Sequence, residues 1–172
     1  MFYKAACASI PKTIHDPVGS SAVNYTGTLN ILEAARQNSV KRVVFASSAA
    51  LYGDEPTLPK VETMLPASLS PYAVDKLASE YACMMYQKLY GLETVALRYF
   101  NAAGADPETR IGERHVPESH LIPLVLQAAS GRRDSISIFG QDYETPDGTC
   151  IRDYIHICDL CEAHLLAIKA LQ

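Results

Sequence analysis

A tyrosine and a lysine stand one helical turn apart in SPYAVDKLASEYACMMYQKLYG, residues 70–91, as Tyr72 and Lys76. A free tyrosine has a pKa near 10 and is a poor base at neutral pH. Lowering that pKa by about three units takes roughly 4 kcal/mol of phenolate stabilisation, and a cation about 4 Å away at an effective dielectric near 20 supplies about that much. A serine such as Ser48 can share the proton or orient a substrate oxygen. The three residues therefore suit acid/base chemistry that interconverts an alcohol and a ketone.

This segment has the start and stop signals of one helix. Ser70 can cap the helix, Pro71 suits its first turn, and Gly91 can end it in a left-handed conformation. An apolar stripe covering about a third of the circumference predicts the core-facing side: Val74, Leu77, Ala78, Tyr81, Met85 and Leu89. The opposite side is predicted to carry Tyr72, Lys76, Cys83 and Tyr90. Spacing alone is also compatible with an exposed pair worth a few tenths of a kcal/mol.

Helices and strands alternate around this segment. SSAVNYTGTLNILEAARQNSV has helical spacing, KRVVFASS reads as a buried strand, and LETVALRYFN reads as a second strand after the helix. This order predicts an α/β fold with parallel strands and crossover helices. Further on, HLIPLVLQAASGRR predicts a helix ending at Gly131, SISIFG a short strand, and CDLCEAHLLAIKALQ a closing helix capped by Asp159.

Polar residues follow the predicted strands where ligands bind in an open parallel sheet. One strand runs into Ser47 and Ser48, and the next runs into Asn101. Ligands bind beyond the carboxyl ends of such strands. We therefore expect Ser48, Tyr72 and Lys76 to project into one cleft beside Asn101.

Composition and charge exclude several classes of protein. The 172 residues are 48% hydrophobic and 20% charged, with a net charge of −4, which suits one ordinary globular domain and disfavours nucleic-acid binding. No apolar run approaches the ~20 residues of a membrane span. The N-terminus lacks a charged-then-apolar signal, which favours the cytosol. The five cysteines have no regular spacing, and HICDLCEAH spreads its donors around a helix, so neither disulfides nor a metal site are predicted.

Several segments together resemble the extended short-chain dehydrogenase/reductase family, and within it the nucleotide-sugar epimerases of the UDP-glucose 4-epimerase kind. KAACAS, NYTGTLNILEAAR, FASSAALYGD, SPYAVDKLASE and LRYFNAAGADP resemble the cofactor and active-site segments. HLIPLVLQAASGRRDSISIFGQDYETPDGTCIRDYIH resembles the substrate-binding half. The resemblance implies a Rossmann-type doubly wound parallel sheet that uses NAD and a UDP-sugar, and a homodimer in the full-length enzyme.

The resemblance also implies roles for individual residues. Tyr72 would be the general acid and base at the sugar 4-hydroxyl, Lys76 would bind the nicotinamide ribose and depress the tyrosine pKa, and Ser48 would hydrogen-bond the reacting oxygen. The cofactor would be lined by Ala5, Ala6, Asn24, Tyr99 and Phe100. The UDP part would be held by Asn101, Leu121, Phe139 and Arg152. Each residue also has a purely structural interpretation, such as Phe139 in a core or Arg152 paired with a surface acid.

Rival chemistries differ at identifiable positions. The 4,6-dehydratases of the family carry an Asp-Glu pair just after the serine or threonine, and related decarboxylases keep the Glu, whereas this chain has Ala49 and Ala50. Alanine cannot transfer a proton, which favours epimerisation. A serine hydrolase would need a Gly-x-Ser-x-Gly elbow, and neither Ser47 nor Ser48 lies in one.

One feature of the family is not found in these residues. The nine glycines never form the Gly-x-x-Gly-x-x-Gly turn that cradles the NAD pyrophosphate. We therefore expect residues 1–101 to be the later part of the NAD-binding domain and residues 102–172 to be part of the nucleotide-sugar region, closed by a Rossmann element. The truncated chain alone is expected to bind NAD weakly or not at all and to be inactive. Two hypotheses follow: the central piece of a working UDP-hexose 4-epimerase, or a non-catalytic remnant or interaction module of that fold.

Overall fold

The structure, a computed structural model, describes residues 1–171. They form two compact units. The first contains Met1–Phe100 together with the described residues from Cys161 onward, and the second contains Asn101–Leu160. The predicted division at residues 101 and 102 stays a prediction.

A three-stranded parallel sheet forms the centre of the first unit. Its strands are β1 (Phe2–Tyr3), β2 (Arg42–Ala46) and β3 (Glu93–Leu97), in the order β1-β2-β3. Val44 of β2 lies in register with Phe2 on one side and with Val95 on the other. The side chains of residues 43–46 in β2 are apolar and buried on both faces of the sheet. This is typical of parallel sheets, whose faces are both covered by other elements. The predicted α/β fold and parallel pairing are confirmed.

Three consecutive helices precede β2 after the short helix α1 (Ile10–His15). They are α2 (Pro17–Ser21), a π-helical turn (Ala22–Thr26) and α3 (Gly27–Gln37), where the sequence predicted one helix. A π-turn inserts an extra residue and often marks a functional site. The hydrophobic core packs α3 against the sheet and against the helix that follows β2. Its buried residues are Leu32, Ala35, Val43, Phe45, Ala82, Cys83, Tyr86 and Leu92.

The helix that carries the tyrosine and lysine is α4 (Pro71–Tyr90). Its predicted ends are confirmed: the Ser70 hydroxyl accepts a hydrogen bond from the Ala73 amide at 3.2 Å, and Gly91 has a φ of 68°. The predicted core face is wrong. The buried residues are Ala73, Asp75, Lys76, Ser79, Glu80, Ala82, Cys83 and Tyr86, whereas Val74, Tyr81, Met85 and Leu89 are exposed. The side of α4 that packs within the chain therefore carries small and polar residues, and the apolar stripe faces outward.

The second unit contains a small parallel pair of strands and one helix. Strand β4 (Asn101–Ala103) pairs with β5 (Tyr154–His156), and helix α5 spans Leu121–Ala129. The predicted strand SISIFG is wrong, because residues 135–140 form irregular structure with Ile138 and Phe139 exposed. Alternation alone does not make a strand when no neighbour pairs with its backbone.

The last helix, α6 (Ile157–Ala170), confirms the predicted closing helix. Asp159 lies in its first turn, where a negative charge complements the helix dipole, and does not precede the helix as a cap. Among the described residues, every helix is too short or too polar to span a membrane.

Candidate functional site

Ser48 sits where the middle strand of the sheet turns away from its neighbours. Strand β2 ends at Ala46, and Ser48 caps a 3-10 turn over Ala49–Tyr52, its hydroxyl accepting from the Ala50 amide at 3.2 Å. The Ala49 amide donates to the Tyr99 carbonyl at 3.0 Å. The end of β2 is therefore tied to the segment that follows β3, which fixes the backbone at Ser48.

Tyr72 occupies the first turn of α4, and its phenol lies near the Ser48 side chain. Burial raises the pKa of the Tyr72 phenol, and the Ser48 side chain acts in the opposite direction. The phenol is therefore protonated at neutral pH and lies beside the hydroxyl that the sequence predicts as its partner.

Lys76 lies one turn further along α4 and is buried. Its ammonium donates to the Ala46 carbonyl at 2.7 Å and lies 4.8 Å from the Phe45 ring centroid and 5.7 Å from that of Tyr72. Burial lowers the pKa of Lys76 to about 8, partly offset by the negative charge of Asp75. The expected role of Lys76 in depressing the Tyr72 pKa stays a prediction. In the chain by itself, burial raises the pKa of Tyr72, and the Lys76 ammonium donates to the Ala46 carbonyl.

The low pKa of Lys76 predicts a specific dependence of stability on pH. Below about pH 8 both folded and unfolded states hold the proton, and the cost of burying the charge is fully present. Between about 8 and 10.5 the unfolded chain keeps the proton that the folded chain has lost, so the free energy of unfolding rises with pH. Relative to Lys76→Met, we expect a gain on the order of 2–3 kcal/mol across that window.

Urea unfolding followed by circular dichroism from pH 7 to 10.5 measures this difference. Subtracting the Lys76→Met curve removes the titration of the tyrosines and other groups common to both chains. Lys88→Met is the matched control, because Lys88 is exposed on the same helix. A flat difference between the unsubstituted chain and Lys76→Met would contradict the burial of a charged lysine at position 76.

Asn24 is central to the π-helical turn and is 3% exposed. Its amide oxygen accepts from the Cys7 amide at 2.7 Å, and its amide nitrogen donates to the Cys7 carbonyl at 3.2 Å and to Asp75 at 3.4 Å. The side chain thus holds the segment after β1 against α4. The predicted cofactor contact of Asn24 stays a prediction, and its visible role is to fix the position of that segment.

Four other predicted cofactor residues surround the ends of the strands in the first unit. Ala5 is exposed and Ala6 is partly buried in the segment that Asn24 holds. Tyr99 is partly buried; burial raises its pKa, as does the neighbouring Tyr72. Phe100 is 41% exposed. The structure therefore brings Tyr99 near Tyr72, and it leaves Ala5 and Phe100 accessible.

These residues fit the nicotinamide-ribose half of NAD. The Lys76 ammonium has three donors, and the Ala46 carbonyl takes one of them, which leaves donors for ribose hydroxyls. Ala5 and Ala6 follow the end of β1 and present only methyl side chains there. The pyrophosphate half would need a glycine-rich turn, and the 172 residues contain no such spacing.

The predicted UDP-binding residues lie in the second unit. Asn101 in β4 pairs with Tyr154 in β5. Its side chain donates to the carbonyl of Asp153, the residue after Arg152, at 2.8 Å. Arg152 donates to the Ile151 carbonyl at 2.9 Å and is exposed. Leu121 begins α5 and is half exposed, and Phe139 is 94% exposed. Phe139 therefore belongs to no core among residues 1–171, and its proposed contact with UDP stays a prediction.

A group of possible metal ligands lies in the irregular segment before α5. Glu113, His115, Glu118 and His120 each place one donor atom within 4.8 Å of the others. Their imidazole–carboxylate distances of 2.7–3.1 Å are those of ordinary hydrogen-bonded pairs. These pairs account for the group without an ion.

Sequence reasoning missed a polar network next to the site. Glu80 is buried on α4 and binds both Arg98 and Ser47. The sequence did contain one signal, since Tyr72, Lys76 and Glu80 repeat at intervals of four and must share one face of a helix. The apolar stripe on the other side of the helix predicts that this face is exposed, and that prediction hides the role of Glu80.

The comparisons with known proteins agree with this geometry. The sequence pattern of the NAD dependent epimerase/dehydratase family matches residues 1–172, and the chain belongs to that family. It is 48% identical over 168 residues to a UDP-glucose 4-epimerase of Halalkalibacterium halodurans, covering 98% of this chain and 50% of that protein. It is 45% identical over 167 residues to a UDP-glucose 4-epimerase of Lacticaseibacillus casei, covering 97% and 50%. The chain spans about half the length of the curated relatives it matches.

Solved structures give the same result for the fold. The UDP-glucose 4-epimerase from Brucella ovis in complex with NAD superposes with a TM-score of 0.95 at 46% identity, covering 99% of this chain and 52% of that one. The enzyme from Bifidobacterium longum in complex with NAD+ and UDP gives 0.89 at 31% identity, covering 98% and 51%. The predicted Rossmann-type fold and family resemblance are confirmed.

Proposed function

We propose that this chain carries the acid/base residues of an NAD-dependent enzyme that epimerises a UDP-hexose at C4 and interconverts UDP-glucose and UDP-galactose. The observation that carries the proposal is the placement of the Ser48 side chain beside the Tyr72 phenol, with buried Lys76 one turn away. Family membership and 48% identity to a UDP-glucose 4-epimerase support it. Ala49 and Ala50 disfavour dehydration, because neither side chain can transfer a proton.

The residues of the chain would move one proton at the sugar 4-oxygen. Tyr72 would accept the hydroxyl proton as the alcohol becomes a ketone and return it as the alcohol reforms, and Ser48 would orient that oxygen. When bound, NAD supplies the group that takes the hydride from C4 and gives it back. Lys76, with a pKa of about 8, would hold ribose hydroxyls beside Tyr72. Asn101, Leu121, Phe139 and Arg152 would hold the UDP part, Arg152 through the diphosphate.

A chimaera provides the test, because it supplies the sequence that the 172 residues lack. Residues 1–172 replace the matching stretch of the Halalkalibacterium halodurans relative. We expect the chimaera to bind NAD and to convert UDP-galactose to UDP-glucose within about tenfold of the relative's rate, while the 172-residue chain alone is inactive. A chimaera that folds and binds NAD but does not convert UDP-galactose would contradict the proposal and favour a non-catalytic remnant.

We also propose that the outward stripe of α4 forms a homodimer interface. The stripe consists of Val74, Tyr81, Met84, Met85 and Leu89, each 42–62% exposed. Contiguous exposed apolar side chains on one helix face mark interaction sites more often than free surface. A second copy would bury this stripe against its own equivalent, as two-fold symmetry requires.

All five cysteines are unpaired, which supports the predicted cytosolic location.

Light scattering after size exclusion tests the interface. We expect the unsubstituted chain to run at twice its 18.8 kDa mass, and Met85→Glu to shift it to the monomer, because a buried unpaired carboxylate is costly. Gln87→Glu adds the same charge on the opposite side of α4 and should leave the dimer intact. If Met85→Glu still elutes as a dimer, the stripe is not the interface.

A further inference from the structure

Behind the candidate site lies a buried ion pair that the proposed chemistry does not use. Arg98 follows β3 and binds Glu80 through two nitrogens, at 2.7, 3.0 and 3.2 Å. The side chains are 17% and 9% exposed. Burying two charges is costly unless good geometry compensates them. This bidentate geometry is the kind that fixes a carboxylate in one orientation.

The fixed carboxylate also receives the hydroxyl of the residue next to Ser48. Ser47 is 2% exposed, and its hydroxyl donates to Glu80. The Arg98 guanidinium also lies 5.4 Å from the centroid of the Tyr52 ring. Tyr52 is the last residue of the 3-10 turn that Ser48 caps. The ion pair thus contacts side chains on both sides of Ser48 along the chain, those of Ser47 and Tyr52.

Glu80 also belongs to the helix that presents the other two candidate residues. It stands one turn after Lys76 and two turns after Tyr72 on the same face of α4. Because an α-helix is stiff over two turns, a contact at Glu80 sets the distance between Tyr72 and whatever Glu80 holds. Ser47 is the residue it holds, and Ser48 follows.

We infer that Glu80, Arg98 and Ser47 are positioning residues that set the Ser48 hydroxyl against the Tyr72 phenol. The network connects the ends of β2 and β3 to α4, which are the elements that present the candidate residues. The expected effect of this network on turnover rests on the proposed function, whereas its expected effect on the position of Ser48 does not. A misplacement of about 1 Å in such a site can reduce turnover by 10²-fold.

Ser47→Ala is the sharpest test, because it removes the contact to the strand and leaves the Arg98–Glu80 pair in place. The matched control is Ser79→Ala. Ser79 is buried on α4, but its hydroxyl donates to the Asp75 carbonyl of its own helix at 2.8 Å. Both variants lose one buried serine hydroxyl, so a merely structural role would affect them alike.

The first readout is titration of Tyr72 in the 172-residue chain, followed by NMR of ¹³Cζ-labelled tyrosine and assigned with Tyr72→Phe. The Ser48 side chain lowers the Tyr72 pKa, so a displaced Ser48 should let that pKa rise in Ser47→Ala and not in Ser79→Ala. An unchanged Tyr72 pKa in Ser47→Ala overturns the inference. Denaturant unfolding of both variants confirms that the titrated chains are folded.

The second readout is turnover of UDP-galactose in the chimaera. We expect Ser47→Ala to lower kcat about tenfold with KM unchanged, and Ser79→Ala to leave both unchanged. Arg98→Lys keeps the charge but loses the bidentate fork, and it should lower kcat in the same way. Normal kcat in both Ser47→Ala and Arg98→Lys overturns the inference. An inactive unsubstituted chimaera instead counts against the proposed function, and the Tyr72 titration still decides the placement of Ser48.

Discussion

Replacing Tyr72 with phenylalanine in the chimaera is expected to lower kcat for UDP-galactose by about 10²–10⁴-fold. The phenol hydroxyl lies beside the Ser48 side chain and would carry the proton to and from the sugar 4-oxygen. Phenylalanine keeps the ring and removes that hydroxyl alone. The dissociation constant for UDP should stay within about twofold, since the proposed UDP contacts come from residues 101–152.

Coupled assay of UDP-glucose formation gives kcat, and calorimetric titration gives the affinity for UDP. Tyr90→Phe is the control, because Tyr90 is exposed near the end of the same helix and its hydroxyl has no proposed role. Near-normal kcat in Tyr72→Phe would remove Tyr72 as the acid and base. A parallel loss in Tyr90→Phe would mean that the helix is sensitive to any such change.

Gly53→Ala is expected to have the largest effect on stability, at least about 3 kcal/mol. Gly53 ends the 3-10 turn that Ser48 begins, with φ 58° and ψ −129°, a conformation that side chains rarely tolerate. A Cβ there would stand 1.8 Å from the Ala67 carbonyl oxygen. The Ala67 amide donates to the Leu51 carbonyl at 2.8 Å, so relief of the clash would pull the turn away from Ser48.

Two further glycines separate strain from clash. Gly91 has a φ of 68° with open space around its Cβ position, and Gly112 has neither a positive φ nor a neighbour within 4 Å. We expect Gly91→Ala to cost about 1–2 kcal/mol and Gly112→Ala close to nothing, measured by urea unfolding. If Gly53→Ala costs no more than Gly91→Ala, the close approach to Ala67 is not a constraint in solution.

Local signals predicted the elements that carry the site. The ends of α4 follow from Ser70, Pro71 and Gly91, because capping and left-handed glycine are properties of single residues. The middle strand follows from a short apolar run. The partnership of Ser48 with Tyr72 was reachable because both stand at predictable ends of elements.

Packing between elements was not predictable in the same way. The apolar stripe of α4 indicates a face that needs a partner, but it does not say whether that partner lies in the same chain. The intrachain side instead carries Lys76 and Glu80, which are buried because Ala46 at the end of β2 and Arg98 just after β3 provide partners. Such pairs join residues far apart in sequence, so periodicity carries no record of them. The strand predicted for SISIFG is wrong for the same reason, since a strand needs a neighbouring strand to pair with its backbone.

The central claim is that residues of this chain move a proton at the sugar 4-oxygen while the hydrogen on C4 leaves and returns as hydride. Incubating the chimaera with UDP-galactose in D₂O, and examining the product by mass spectrometry and ¹H NMR, tests this claim most directly. We expect UDP-glucose of unchanged mass, with no deuterium bonded to C4. Deuterium at C4 would show proton abstraction from carbon, and loss of water would show a dehydratase; either product would contradict hydride transfer at C4.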